Sequence, residues 1–251
     1  KNDFDALNAR ILAADRAVGK FNGNVGNYPK MSGFKDLLSA FGVVTGVNLF
    51  ADLVKNGFAA AKELQSLDLA LKSVTGSQEE FGKQTHFLTS IADKYGLEIK
   101  GLTEQFIGFY VSAKGKLAGK DIQGVFENIS KAGSALGVSN DTLKRSFVAL
   151  NQMLSKGKVA SEELRGQLAE ALPGAVQAMT KAVQKLHPEI KGLTEKGLFE
   201  MIKAGKILAE EVLPETARQL VILTGADKAE GVETLTKMTN RLTNSWSQMI
   251  K

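Results

Sequence analysis

The chain has 251 residues with 43% apolar side chains, enough for one large domain or two modest ones around a real core. It has no cysteine and only two histidines, which excludes a disulfide framework and a thiolate metal site. The formal net charge is +5, but the 32 basic and 27 acidic residues are interspersed; a nucleic-acid groove concentrates Lys and Arg on one face, so nucleic acid is not expected as a specific ligand.

Apolar spacing is helical almost everywhere and no sustained period-two run occurs, so the pattern predicts an all-α fold. The expected architecture is a compact multi-helix bundle flanked by longer amphipathic, coiled-coil-like helices. Residues 1–21 form the first such helix, with Phe4, Leu7, Ile11, Ala14, Val18 and Phe21 alternating three and four apart. The Gly- and Asn-rich stretch 22–33 contains Pro29 and reads as a linker. A long apolar helix over 34–74 follows. Its uncharged run, Leu37 to Ala51, places Gly42, Val44, Gly46 and Phe50 as candidate membrane or oligomer contacts. That run is shorter than the roughly 20 residues a span needs, which favours a buried or oligomer-facing helix over one that inserts.

Residues 75–226 are densely punctuated, as a bundle of short helices requires. Ser77 and Glu80 have capping-box spacing, and Phe81, Leu88, Ile91, Ala92 and Tyr95 form an apolar face that stops at Gly96. Thr103 is expected to start the next helix, with Phe106, Ile107 and Tyr110. Ile122, Val125, Phe126, Ile129 and Ala132 mark a third, ending at Gly137. Ser139 starts a fourth, with Leu143, Phe147, Leu150 and Leu154, ending at Gly157. All four prolines, Pro29, Pro173, Pro188 and Pro214, are expected at helix boundaries. Residues 227–251 form the last amphipathic helix, with Val232, Leu235, Thr239, Leu242, Trp246 and Met249 as a seam that needs a partner.

The segment KGKVASEELRGQLAEALPGAV, Lys156 to Val176, opens with the turn residues Gly157 and Lys158. Ser161 is expected as an N-cap, with Glu162 and Glu163 in the first turn, where the helix dipole favours negative charge. Leu164, Leu168 and Leu172 recur every four residues as one apolar ridge. Gly166 and Ala169 are small enough to admit a neighbouring helix, and Arg165, off the ridge, is placed to bridge to a carboxylate. GKILAEEVLPE, Gly205 to Glu215, echoes this order, with Leu213 and Pro214 in the places of Leu172 and Pro173. A duplicated hairpin and a reused helix-start device both fit; the different glutamate-to-proline intervals favour reuse.

The run LNQMLSKGKVASEELRGQLAEALPGAV, with GLFEMIKAGKILAEEVLPETARQL after it and KAGSALGVSNDTLKRSFVALNQ before it, resembles the domain of phage tail tape measure proteins. The likeness extends from about Leu67 to Leu223, with Gly157, Lys158, Ser161, Glu162, Glu163, Leu164, Arg165, Gln167, Leu168, Leu172, Pro173, Gly174, Leu213 and Pro214 as its family-motif positions. The resemblance implies a structural protein of the virion tail, assembled in the host cytoplasm along the inside of the growing tail tube. Members of that family set tail length and leave the tube when DNA is ejected. It implies tail tube proteins, tail assembly chaperones and further copies of the chain, through its heptad helices, as partners, with the host membrane as a further possible contact. A membrane-active module inserting through 37–51 is the alternative.

No catalytic, cofactor or metal site is expected. The Gly-Lys pairs follow helix ends rather than strands, no HExxH pattern occurs, and the glutamate pairs sit in helix first turns where capping explains them. The chain opens on Lys1, which suits a piece of a longer protein.

Overall fold

The computed structural model describes residues 64–228 and 234–249. The heptad helix 1–21, the linker 22–33 and the apolar candidates Gly42, Val44, Gly46 and Phe50 lie outside the described residues. Within them the protein is helical and forms no strand, as the apolar periodicity predicts.

A helical stretch at 64–75 leads to α1 (Gln78–Tyr95). The Ser77 hydroxyl accepts a hydrogen bond from the Glu80 amide at 3.1 Å, but the Glu80 carboxylate does not complete the capping box; it accepts from Gln84 Nε2 at 2.6 Å. Helix α2 (Ile99–Ala113) begins four residues ahead of Thr103, whose hydroxyl donates back to the Ile99 carbonyl from inside the helix at 2.7 Å. Helix α3 (Gly119–Leu136) ends on Gly137, and α4 (Asn140–Lys156) starts on the Ser139 cap and ends on Gly157, all as expected from the sequence.

These four helices bring their aromatic side chains together. Phe126 of α3 stacks on Phe147 of α4 at 4.3 Å between ring centroids and meets Phe106 of α2 edge-on at 4.9 Å. Phe109 of α2 and Phe87 of α1 complete the cluster. Each favourable ring pair adds about 1 kcal/mol beyond the area it buries.

The second half of the bundle contains a turn of helix at 161–171, then α5 (Ala175–Leu186), α6 (Glu195–Lys203) and α7 (Ala209–Thr224). Helix α7 packs along both α3 and α5 and so joins the two halves. Pro214 is the sixth residue of α7 rather than a boundary residue. The amide it lacks would have bonded to the carbonyl of Glu210, four residues earlier, and Glu210 is exposed. The other described prolines lie at boundaries, Pro173 in the turn before α5 and Pro188 directly after the α5 cap.

Helix α8 (Leu235–Met249) carries the seam expected to need a partner within the chain or in another subunit. Its leucine seam does not face the bundle: Leu235 and Leu242 are 54% and 43% exposed, whereas Asn244 and Ser247 are buried. The polar face docks because it meets the orphan backbone groups at the junction of α1 and α2. Asn240 Nδ2 donates to the Gly96 carbonyl (2.9 Å) and Arg241 Nε to the Asp93 carbonyl (2.8 Å). Asn244 serves both helices, donating from Nδ2 to Leu97 O at 2.7 Å and accepting the Ile99 amide at Oδ1 at 3.0 Å.

Candidate interaction site

The two Gly-Lys segments lie side by side. Gly157 and Gly205, at φ 73° and 69°, turn the chain out of α4 and of the end of α6 through the left-handed region that glycine tolerates. The residues that follow pair antiparallel: Val159 N donates to Ile207 O at 2.9 Å and Ala209 N to Gly157 O at 3.1 Å. In this register the β-branched Val159 and Ile207 stand opposite each other, and both are buried. The sequence echo is therefore two sides of one bridge. It ends there: the first segment continues into a helix that stops at Leu172, the second into α7, which runs through Leu213 and Pro214 without a break.

The helix after the first segment is wound as a π-helix over Glu162–Leu168, a rare form that is often found at functional sites. Ser161 is already in helical conformation (φ −63°, ψ −33°) and makes no side-chain cap, contrary to its expected role. Leu164, Leu168 and Leu172 are fully buried, as the ridge requires. Gly166 is exposed and an added Cβ would meet nothing within 4 Å, so it admits no neighbouring helix. Glu162 stays exposed and Gln167 is half-buried, while Pro173 and Gly174 form the exposed turn into α5, Gly174 at φ 94°. Glu163 does not face water with its neighbour. It is 1% exposed and bonds through Oε1 to Lys156 Nζ, whose pKa that bond raises, while its Oε2 is buried without a partner among the described residues.

Among the described residues Arg165 does not bridge to a carboxylate. Its guanidinium lies over the ring of Phe199 in α6, 4.1 Å from the centroid. The antiparallel register explains the meeting: with Lys158 opposite Leu208, the end of α6 must run beside the helix that starts at Ser161. Between them lies an open groove of about 460 Å³, lined by the apolar Val159, Phe199 and Ile202 and by Lys158, Arg165 and Lys203; no carboxylate among the described residues lines it. Phe199 and Lys203 lie in the second quoted segment, GLFEMIKAGKILAEEVLPETARQL, but nothing local in the sequence sets them beside Arg165. The usable signal is the echo itself, since pairing of the two segments forces these helices together. Among the described residues no His, Asp and Glu group is arranged to hold a metal ion, and no helix is long and apolar enough to cross a membrane.

The family model described as tape measure protein matches residues 55–251, most of the chain and all of the groove. The chain belongs to the tape measure protein family. A relative described as a probable tape measure protein, from Salmonella phage Felix O1 (isolate Felix O1-VT1), is 30% identical over 188 residues. That match covers 75% of this chain and 24% of the relative, so the chain spans about a quarter of the length of the tape measure protein it resembles. No solved structure matches the chain. Membership supports a phage tail structural role, and within the fold the motif positions do structural work. They close helices, bury leucines and build the bridge between the Gly-Lys segments.

Proposed function

We propose that the chain is a structural and assembly module of a phage or prophage tail tape measure protein, acting in tail tube assembly, tail length determination and DNA ejection. The family match over residues 55–251 carries this reading. Its partners are tail tube proteins, tail assembly chaperones and further copies of itself, and its place is the virion tail after assembly in the host cytoplasm. A helix rises about 1.5 Å per residue, so a continuous helix converts residue number into length. Helices α1 to α7 instead fold back on a shared core, and a folded block adds far less length per residue. The module therefore suits a plug, a tip, a membrane-facing block or a segment that rearranges inside the tube better than the measuring rod itself. The proposed organisation is the bundle 75–226 between the helices 34–74 and 227–251, with the heptad helix 1–21 and linker 22–33 ahead of them.

An epitope placed between the exposed Lys191 and Gly192 tests the location. The tag should copurify with intact tails and leave them when ejection is triggered; virions without the tag would overturn the reading. The membrane-inserting alternative rests on the uncharged run 37–51 and predicts liposome leakage by the chain that Val44→Asp abolishes.

A further inference from the structure

The groove beside the Gly-Lys bridge combines features that structural packing does not need. Arg165 is exposed, with its guanidinium carbon over the Phe199 ring 4.1 Å from the centroid, a contact that holds the side chain in place before any ligand arrives. Lys158 and Lys203 add positive charge on the same rim, and the lining includes no acid to neutralise the three. Some cations elsewhere in the bundle are spent on carboxylates, as in Lys144 on Glu104 at 3.0 Å and Lys185 on Glu215 at 2.8 Å, and others on backbone carbonyls, as in Lys114 on Val74 O at 3.0 Å. Under the charged rim Val159 and Ile202 are buried beside the Phe199 ring and give the groove an apolar floor.

We propose that this groove binds an acidic peptide segment of a partner protein, with one carboxylate forked by Arg165 and an adjacent apolar side chain seated on the floor. The charge of the rim demands an anion, and the planar guanidinium fits a carboxylate with two parallel hydrogen bonds. A nucleic-acid strand fits less well. Its bases need an open aromatic face to stack on, and the face of Phe199 is taken by Arg165. Phosphate alone would leave the apolar floor unused. The inference rests on the assembly reading only for where such a partner is met.

The test is an NMR titration of the full chain with a capped Glu-rich peptide carrying one Leu-Leu pair. Parallel arms use the same peptide with Gln at every Glu, inorganic phosphate, and single-stranded oligothymidylate. The Glu peptide should perturb Lys158, Arg165, Phe199 and Lys203 together, and the Gln peptide should leave them unmoved. Arg165→Ala should weaken binding about tenfold, the size of one charge-assisted fork. Arg165→Lys should recover little of that loss, because it keeps the charge and loses the fork. Lys203→Ala, at an exposed position, should weaken binding by about two- to threefold with an unchanged thermal midpoint. Equal binding of the Gln peptide, perturbation centred elsewhere, or tighter binding of phosphate or oligothymidylate at these residues would overturn the proposal. Failure here with the epitope found in tails removes the groove proposal alone; peptide binding with no epitope in virions removes the tail location alone.

Discussion

At Glu163 the chain buries a carboxylate whose side chain is 2% exposed and ties it to Lys156, whose side chain is 50% exposed. The two partners are therefore unequal. Removing the lysine strands a buried charge, whereas removing the charge from the glutamate lets the lysine return to water. Lys156→Ala should lower the midpoint of chemical denaturation more than Glu163→Gln does; equal effects would show that the buried oxygen is solvated. Glu215 in α7 is a second buried carboxylate with fuller pairing. Burial pushes its pKa up, but hydrogen bonds from Lys185 Nζ (2.8 Å), Gln219 Nε2 (2.8 Å) and Arg218 Nε (2.9 Å) outweigh this and hold it below the ordinary 4.5. A depressed pKa in the folded state gives stability that is fully present above the unfolded value and lost as pH falls through the folded one. Acid titrations of stability should therefore fall below about pH 4.5 in the native chain, and Glu215→Gln should flatten that limb. An unchanged acid limb would remove Glu215 from the account.

Among the elements, α8 is held most economically. Its attachment rests on a few side-chain bonds to backbone groups that no helix of the bundle satisfies for itself, with Asn244 making two of them. Asn244→Ala leaves a buried carbonyl and a buried amide unpaired, at about 1–3 kcal/mol each. Hydrogen exchange should then show loss of protection in 235–249 while α2 to α7 keep theirs. Gly96 belongs to the same contact. It is in the left-handed region at φ 64°, and an added Cβ would fall 2.5 Å from Lys237 Cβ, so Gly96→Ala should release α8 as well as strain the turn. Gly137→Ala, at φ 67° with nothing near, should cost only the backbone strain. The contrast marks what the sequence could say. Apolar periodicity and glycine stops placed α1, α3 and α4 within a residue or two, because burial and the left-handed C-terminal turn are local effects. The docking of α8 by Asn240, Arg241 and Asn244 was illegible, since hydrogen bonds to orphan carbonyls leave no periodic pattern and the leucine seam pointed to the opposite face. Ser161 misled for a related reason. Its composition is that of a cap, but the bridge to Ile207 and Ala209 had already fixed where the helix begins.

Across the molecule, the bridge between the Gly-Lys segments organises what the motif only names. It sets α4 and α6 to end, and the motif helix and α7 to start, at one place, and it opens the groove between Arg165 and Phe199 as a by-product of that register. The motif was thus legible as a family mark, while the site it builds was not, because half of its residues come from α6. The same folding-back of helices underlies the central functional claim, that this part of a tape measure protein is a block and not a stretch of the rod. Inserting 42 helix-forming residues between the exposed Lys191 and Gly192 separates the two. As a segment of a continuous helical ruler the insertion would add about 63 Å of length. Electron microscopy of tails from phage carrying the insertion should show native length if the block reading holds; tails longer by about 63 Å would contradict it.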